Sequence, residues 1–205
     1  MKTKTNLITL TFCVLTTLSS MAQKKIGSYQ MAYFDKELEV QANEPKNDVY
    51  SLYIEAYPRE SSIDEICLIV RSKKQAHFNV QLSKLRNVYT KWKETAIENK
   101  ITDLDKEIEM ESMSYEAAFF YGSKWKFDFS VRLKARFRVI SGKYLLILSN
   151  RNDLVASDNQ YMNTDGFYII LSSQKEIDAL IKQLHPSKVT DFYAKETQKT
   201  DIFKQ

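Results

Sequence analysis

Glycine is scarce in this 205-residue sequence: there are four, with three prolines, two cysteines and two histidines. So few glycines leave no phosphate-cradling loop and no nucleophile elbow, both of which need glycines at close spacing. His77 and His185 are far apart and share no metal-ligand spacing. No catalytic residue, cofactor or metal is therefore expected, and hydrolysis would need a site dispersed along the chain and assembled only by folding. No apolar run reaches the roughly 20 residues that a bilayer-spanning helix requires. A transmembrane segment is excluded from the reading.

What is present begins with Lys2 and Lys4, a threonine-rich apolar run from Leu7 to Leu18, and Ser20-Met21-Ala22 ahead of Gln23. A charged start, a short apolar middle and small residues before the cut make residues 1–22 a secretory signal peptide, cleaved near Ala22 into the periplasm or outside the cell. Phe12 before Cys13 is too bulky for a lipid-attachment site. Removing this leader takes Cys13, leaves Cys67 without a disulfide partner, and brings the formal charge from +4 to about +2. Such a balance gives no general affinity for polyanions. The 183 residues left suffice for one domain burying about 70% of its unfolded surface, read here as 23–186 with a polar tail over 187–205.

The order of patterns predicts an α+β fold with an antiparallel meander. Weak strands are expected at Gln30 to Phe34 and Leu38 to Gln41, and clearer ones at Val49 to Tyr57 and Ile66 to Arg71. Cys67 lies within the last of these, among apolar neighbours that make a thiol inert. Ser72-Lys-Lys-Gln75 has the form of a capping box, and opens a long helix over about 74–99 with Phe78, Leu82, Leu85, Tyr89, Trp92 and Ala96 on one face. Ser173-Gln-Lys-Glu176 is a second box, opening a helix over about 174–184 that His185-Pro186 ends. Tyr144 to Leu148, a polar loop, Phe167 to Leu171 and this helix echo the pattern of Tyr50 to Ile54, a loop, Cys67 to Val70 and the first helix. Two similar sheet-then-helix halves are expected.

Lys124 to Val139 alternates strictly, with Trp125, Phe127, Phe129, Val131, Leu133, Ala135, Phe137 and Val139 on one face. A strand so long should bend or carry a bulge. Gly122-Ser123 suits a two-residue hairpin turn, and pairing Tyr121 with Lys124 sets the register of a long hairpin over 104–140. It places Glu111, Glu109 and Glu107 opposite Lys134, Arg136 and Arg138, and Ile108 opposite Phe137. Glu116 against Phe129 is the one poor match, which a bulge near Ser112 to Ser114 would alter.

Paired in this way, the basic face is largely neutralised. At the hairpin tip Phe119, Tyr121, Lys124 and Lys126 share a face with no evident acid, and they are the candidate ligand-binding residues. The loop from Asp158 to Gly166 fails the EF-hand pattern for calcium, and its Asn, Asp and Gly are ordinary turn residues.

Tyr89-Thr-Lys-Trp-Lys-Glu-Thr-Ala-Ile-Glu-Asn99, the preceding turn from Phe78 to Leu85, and Phe120-Tyr-Gly-Ser-Lys-Trp125 together resemble a family of uncharacterised bacterial exported proteins. That resemblance implies an address and no activity. In topology the sheet-then-helix halves are also similar to PUR and Whirly single-strand binders, which would imply an anionic polymer held on a basic aromatic sheet surface. An exported chain does not meet intracellular nucleic acid, so the partner expected is a protein or glycan of the envelope or the exterior. The first reading is a non-enzymatic periplasmic or secreted binding protein; an anionic-polymer binder and a hydrolase with a dispersed site are the alternatives.

Overall fold

The computed structural model describes residues 23–201. The signal peptide read over residues 1–22 and the end of the tail, 202–205, lie outside the described residues. β1 (Lys24–Met31) and β2 (Lys36–Ala42) form a hairpin over a 3-10 turn at Ala32–Phe34. The strand expected to reach Phe34 stops at Met31, because Asp35 takes a left-handed conformation, φ 51°, to reverse the chain. β3 (Ser51–Pro58), β4 (Ile66–Arg71) and α1 (Ser72–Glu98) follow. Then come β5 (Asp103–Ile108), β6 (Ser114–Tyr121), β7 (Lys124–Ile140) and β8 (Lys143–Asn150). The loop after β8 holds a small hairpin, β9 (Leu154–Ala156) and β10 (Asn159–Thr164), before β11 (Phe167–Leu171). α2 (Gln174–Gln183) and α3 (Pro186–Asp201) complete the chain.

Nine strands form one antiparallel sheet, and β3 pairs with both β4 and β11, so β3, β4, β6, β7, β8 and β11 close a ring. One side of every ring strand turns toward α1. Leu52 and Ile54, Leu68 and Val70, Phe119, Phe137, Leu146 and Ile169 are all buried there with Phe78, Leu82, Leu85 and Tyr89 of the helix. Edge-to-face rings join the layers, Phe78 to Tyr115 at 5.2 Å and Tyr89 to Phe137 at 5.9 Å. The Tyr89 hydroxyl donates to the carbonyls of Tyr144 and Ser172, at 3.2 and 2.8 Å. Both expected halves are present as a strand pair followed by a helix, β3–β4–α1 and β8–β11–α2.

The two capping boxes differ in outcome. Ser173 accepts from the Glu176 N–H, and the Glu176 carboxylate reaches back to Ser172 and Ser173, so the second box forms. The first does not: Arg71 is the N-cap of α1, with no side-chain cap. Gln75 is buried instead, bonded to the Tyr50 hydroxyl and, at 2.9 Å, to the Leu184 carbonyl. Tertiary packing takes the amide that the local motif would have used. His185-Pro186 ends α2, and proline, which has no N–H to lose, opens the next helix. α3 buries Val189 and Tyr193, and the Tyr193 hydroxyl donates to the Ala42 carbonyl at 2.8 Å.

The tip of the hairpin has the expected register, Tyr121 opposite Lys124, with Gly122 at φ 64°. The rest departs from it. A bulge sets Glu116 against both Phe129 and Ser130, between the pairs Ala117–Asp128 and Tyr115–Val131, rather than near Ser112 to Ser114. The chain then loops out between β6 and β5, and β5 returns two residues out of the expected register. Glu107 faces Arg136, Ile108 faces Ala135 and Asp105 faces Arg138. An even shift preserves the face, so acids still meet bases: Asp105 lies 2.7 Å from Arg136, and Asp103 lies 3.2 Å from Arg138. Glu111 is not opposite Lys134; it swings to α1, 2.6 Å from Lys84 and 3.4 Å from His77.

Candidate functional site

The four residues expected at the hairpin tip do come together, Phe119 opposite Lys126 and Tyr121 opposite Lys124. They face the inward side, however, and Phe119 is fully buried in the core. Lys126 reaches Asp158 at 2.8 Å, with only 12% of its side chain exposed. An acid more than thirty residues away in sequence thus supplies the partner the hairpin itself lacks, leaving Tyr121 and Lys124 open to solvent.

The bulge sets which side chains reach solvent. Two residues opposite one reverse the phase of alternation, because side chains repeat every second residue. After the bulge Val131 to Val139 point inward as expected; before it the inward positions are Lys126 and Asp128. Trp125, Phe127 and Phe129, read as one buried face with the later residues, instead point outward and are 42%, 37% and 56% exposed. Asp128, only 8% exposed, fastens the irregularity. Its carboxylate accepts from the Ser130 N–H at 2.8 Å and the Val155 N–H at 3.0 Å, satisfying donors that a regular ladder would have paired. The β9–β10 hairpin is thereby strapped to the open edge of β7, with the Ser157 N–H on the Phe127 carbonyl at 2.8 Å.

On the outward face the Phe127 and Phe129 rings lie nearly parallel, 12° apart with centroids at 6.2 Å, and Trp125 meets Phe120 edge-to-face at 5.6 Å. Trp125 also stands at the lip of a cleft of about 400 Å³ lined by Glu37, Glu39, Glu55, Glu65 and Cys67. Lys25, 2.9 Å from Glu39, and the Gln41 amide hold the Glu39 carboxyl below the usual carboxylate range. Glu55 accepts from the Glu39 N–H at 2.7 Å. Glu37, Glu39 and Glu55 are thus held by hydrogen bonds beside a row of exposed rings. Burial pushes the Cys67 thiol up to about 12, which removes it as a nucleophile at neutral pH.

Sequence reasoning missed the outward rings because strict alternation continues through Asp128-Phe-Ser130. The signal present was chemical: aspartate and serine are short side chains that bond neighbouring backbone, and they sit in the middle of a strand already too long to run regular. The loop from Asp158 to Gly166 spends its polar groups on protein partners: Asn159 accepts from the Tyr161 N–H at 3.0 Å and Thr164 from the Gly166 N–H at 3.3 Å, while Asp158 pairs with Lys126 and the Asp165 carbonyl accepts from Arg59 and Asn150. Among the described residues no three His, Cys, Asp or Glu side chains come together as a metal site, and no helix is long and apolar enough to cross a membrane. No protein-family model, curated protein or solved structure matches this chain.

Proposed function

We propose that this is an exported, non-enzymatic binding protein whose outward β6–β7 surface takes the apolar faces of a glycan. The observation that carries the reading is the bulge, which presents Trp125, Phe127 and Phe129 to solvent from a strand rather than from a loop. Exposed aromatic rows are costly surface for a lone domain and mark contact sites. Exposed aromatic rings offer their negative faces to the C–H groups of a sugar, and the carboxylates of the adjoining cleft can accept hydroxyl hydrogen bonds. An anionic polymer suits this protein less well, since Asp103, Asp105 and Glu107 lie among the arginines of the basic stripe.

Affinity electrophoresis through soluble glucan, mannan and xylan tests the reading. Wild-type protein should be retarded by at least one of them, and a Trp125→Ala, Phe127→Ala, Phe129→Ala variant with unchanged circular dichroism should not. Equal mobility of the two in every gel overturns it, as does loss of self-association as the only effect of the variant. Export rests on Lys2, Lys4, the Leu7 to Leu18 run and Ser20-Met21-Ala22. The protein recovered from the periplasm or medium should begin at Gln23, and full-length protein in the cytoplasm would contradict it.

A further inference from the structure

The same outward side of the sheet changes character at its other end. Register places Lys134 beside Ser149 and Tyr168, Arg136 beside Ile147 and Ile170, and Arg138 beside Leu145. The 3-10 turn brings Tyr33 and Phe34 over these rows, with Phe34 stacked on Tyr57 at 4.2 Å. The result is a groove of about 490 Å³, within the size range of small-molecule sites. Its floor is apolar, its one long wall carries Lys134, Arg136 and Arg138 with Asp105 set among them, and its other wall is aromatic. It runs on past Tyr33 and Leu145 into a second hollow of about 310 Å³ beside Lys143.

The cations of this groove are unequal. Arg136 and Arg138 are held by Asp105 and Asp103. Lys134 lost its expected acid when the chain looped out between β5 and β6, and it forms no ion pair among the described residues. Arg59 likewise forms none: it lies over the Tyr168 ring at 5.1 Å and donates to the Asp165 carbonyl at 2.9 Å. Lys134 stands on β7 in the row Lys134–Ser149–Tyr168, and Arg59, just past the end of β3 and three strand spacings or about 14 Å away, reaches back over Tyr168 to the same end of the groove. Beyond that row the floor is Ile147, Ile170 and Leu145.

We infer that this groove binds a small amphiphilic carboxylate, its head between Lys134 and Arg59 and its apolar body along Ile147, Ile170 and Leu145 toward Tyr33. Two unpaired cations at one end attract one anionic head; Leu145 and Ile170 are already buried, and the apolar surface left to cover belongs to half-buried Ile147, Ile140, Tyr33 and Phe34. An extended polyanion would have to pass Asp103, Asp105 and Glu107, and gains nothing from the floor. The site is separate from the aromatic surface and does not depend on it.

Isothermal titration at low salt with dodecanoate below its micellar concentration tests this on the mature protein. Dodecanoate should bind at one site, more weakly as salt rises, while dodecyltrimethylammonium and dodecanol should bind far less. Lys134→Gln should weaken dodecanoate about five-fold, and Lys134→Gln with Arg59→Gln should weaken it further. The Trp125→Ala, Phe127→Ala, Phe129→Ala protein should bind it as the wild type does, so that failure of one site is distinguishable from failure of the other. Absence of dodecanoate binding, equal binding of the cationic amphiphile, an unchanged Lys134→Gln titration, or heparin binding in place of dodecanoate would each overturn the inference.

Discussion

Phe127 and Phe137 have the same chemistry, the same strand and the same place in the sequence alternation, yet they differ in solvent contact. Phe137 is fully buried against Tyr89 and Trp92, and Phe127 is 37% exposed. Phe137→Ala should therefore cost about 3–5 kcal/mol by removing burial and leaving a cavity, and Phe127→Ala less than about 1 kcal/mol. Urea unfolding of the two variants measures the difference, and equal losses would mean that the phase does not reverse. Cys67 gives a second contrast. Its native thiol keeps its proton up to about pH 12 against an ordinary 9.0. Below pH 9 that contribution to stability is fully present; between 9 and 12 the unfolded chain binds fewer protons, so stability falls as pH rises. Labelling by a thiol reagent at pH 8 should be about 1000-fold slower than for a free thiol, following thiolate fraction. Cys67 is half-buried at the cleft wall rather than in the core, and rapid labelling of native protein would contradict the raised pKa.

Elements were legible where local chemistry decided them. Long alternation marked β7, periodicity marked α1, Gly122-Ser123 marked the turn, and Ser173 with Glu176 marked the start of α2. What escaped was set by contacts between distant segments. Gln75 serves Tyr50 and Leu184 instead of a cap, Asp128 serves Val155, and Lys126 takes Asp158; nothing in the short-range pattern names those partners. Register was legible only out to the first irregularity. Beyond it, charge and apolar matching allow any even shift, and the protein uses one that trades Glu111 for Asp105. The two capping motifs turn this into a test. Ser173→Ala should cost about 1 kcal/mol as a lost N-cap, whereas Ser72→Ala should stay within about 0.5 kcal/mol. Gln75→Ala should cost about 1–3 kcal/mol, because two buried partners lose their bond. Thermal or urea unfolding of the three orders them, and a larger loss at Ser72 than at Ser173 would contradict the cap assignment.

Across the whole molecule, closing the strands into a ring gives the sheet one buried side and one side left for contact. α1 and the other inward side chains fill the first. The second divides into an aromatic surface bordered by carboxylates around β6 and β7, and an apolar groove with a basic wall over β7, β8 and β11. A net charge of only +4 hides this division, and so does a sequence in which both kinds of residue alternate evenly along β7. The candidate tip residues do come together, with Phe119 buried in the core, Lys126 paired to Asp158, and Tyr121 and Lys124 exposed. The bulge turns Trp125 and its neighbours out of the sheet, where we propose they form the binding face. Acrylamide quenching of a Trp92→Phe protein, in which Trp125 is the only tryptophan, tests it most directly. Quenching should be near that of an exposed indole in the free protein, with marked protection when a retarding polysaccharide is added. A shielded Trp125 in the free protein, or quenching unchanged by the polysaccharide, would contradict it.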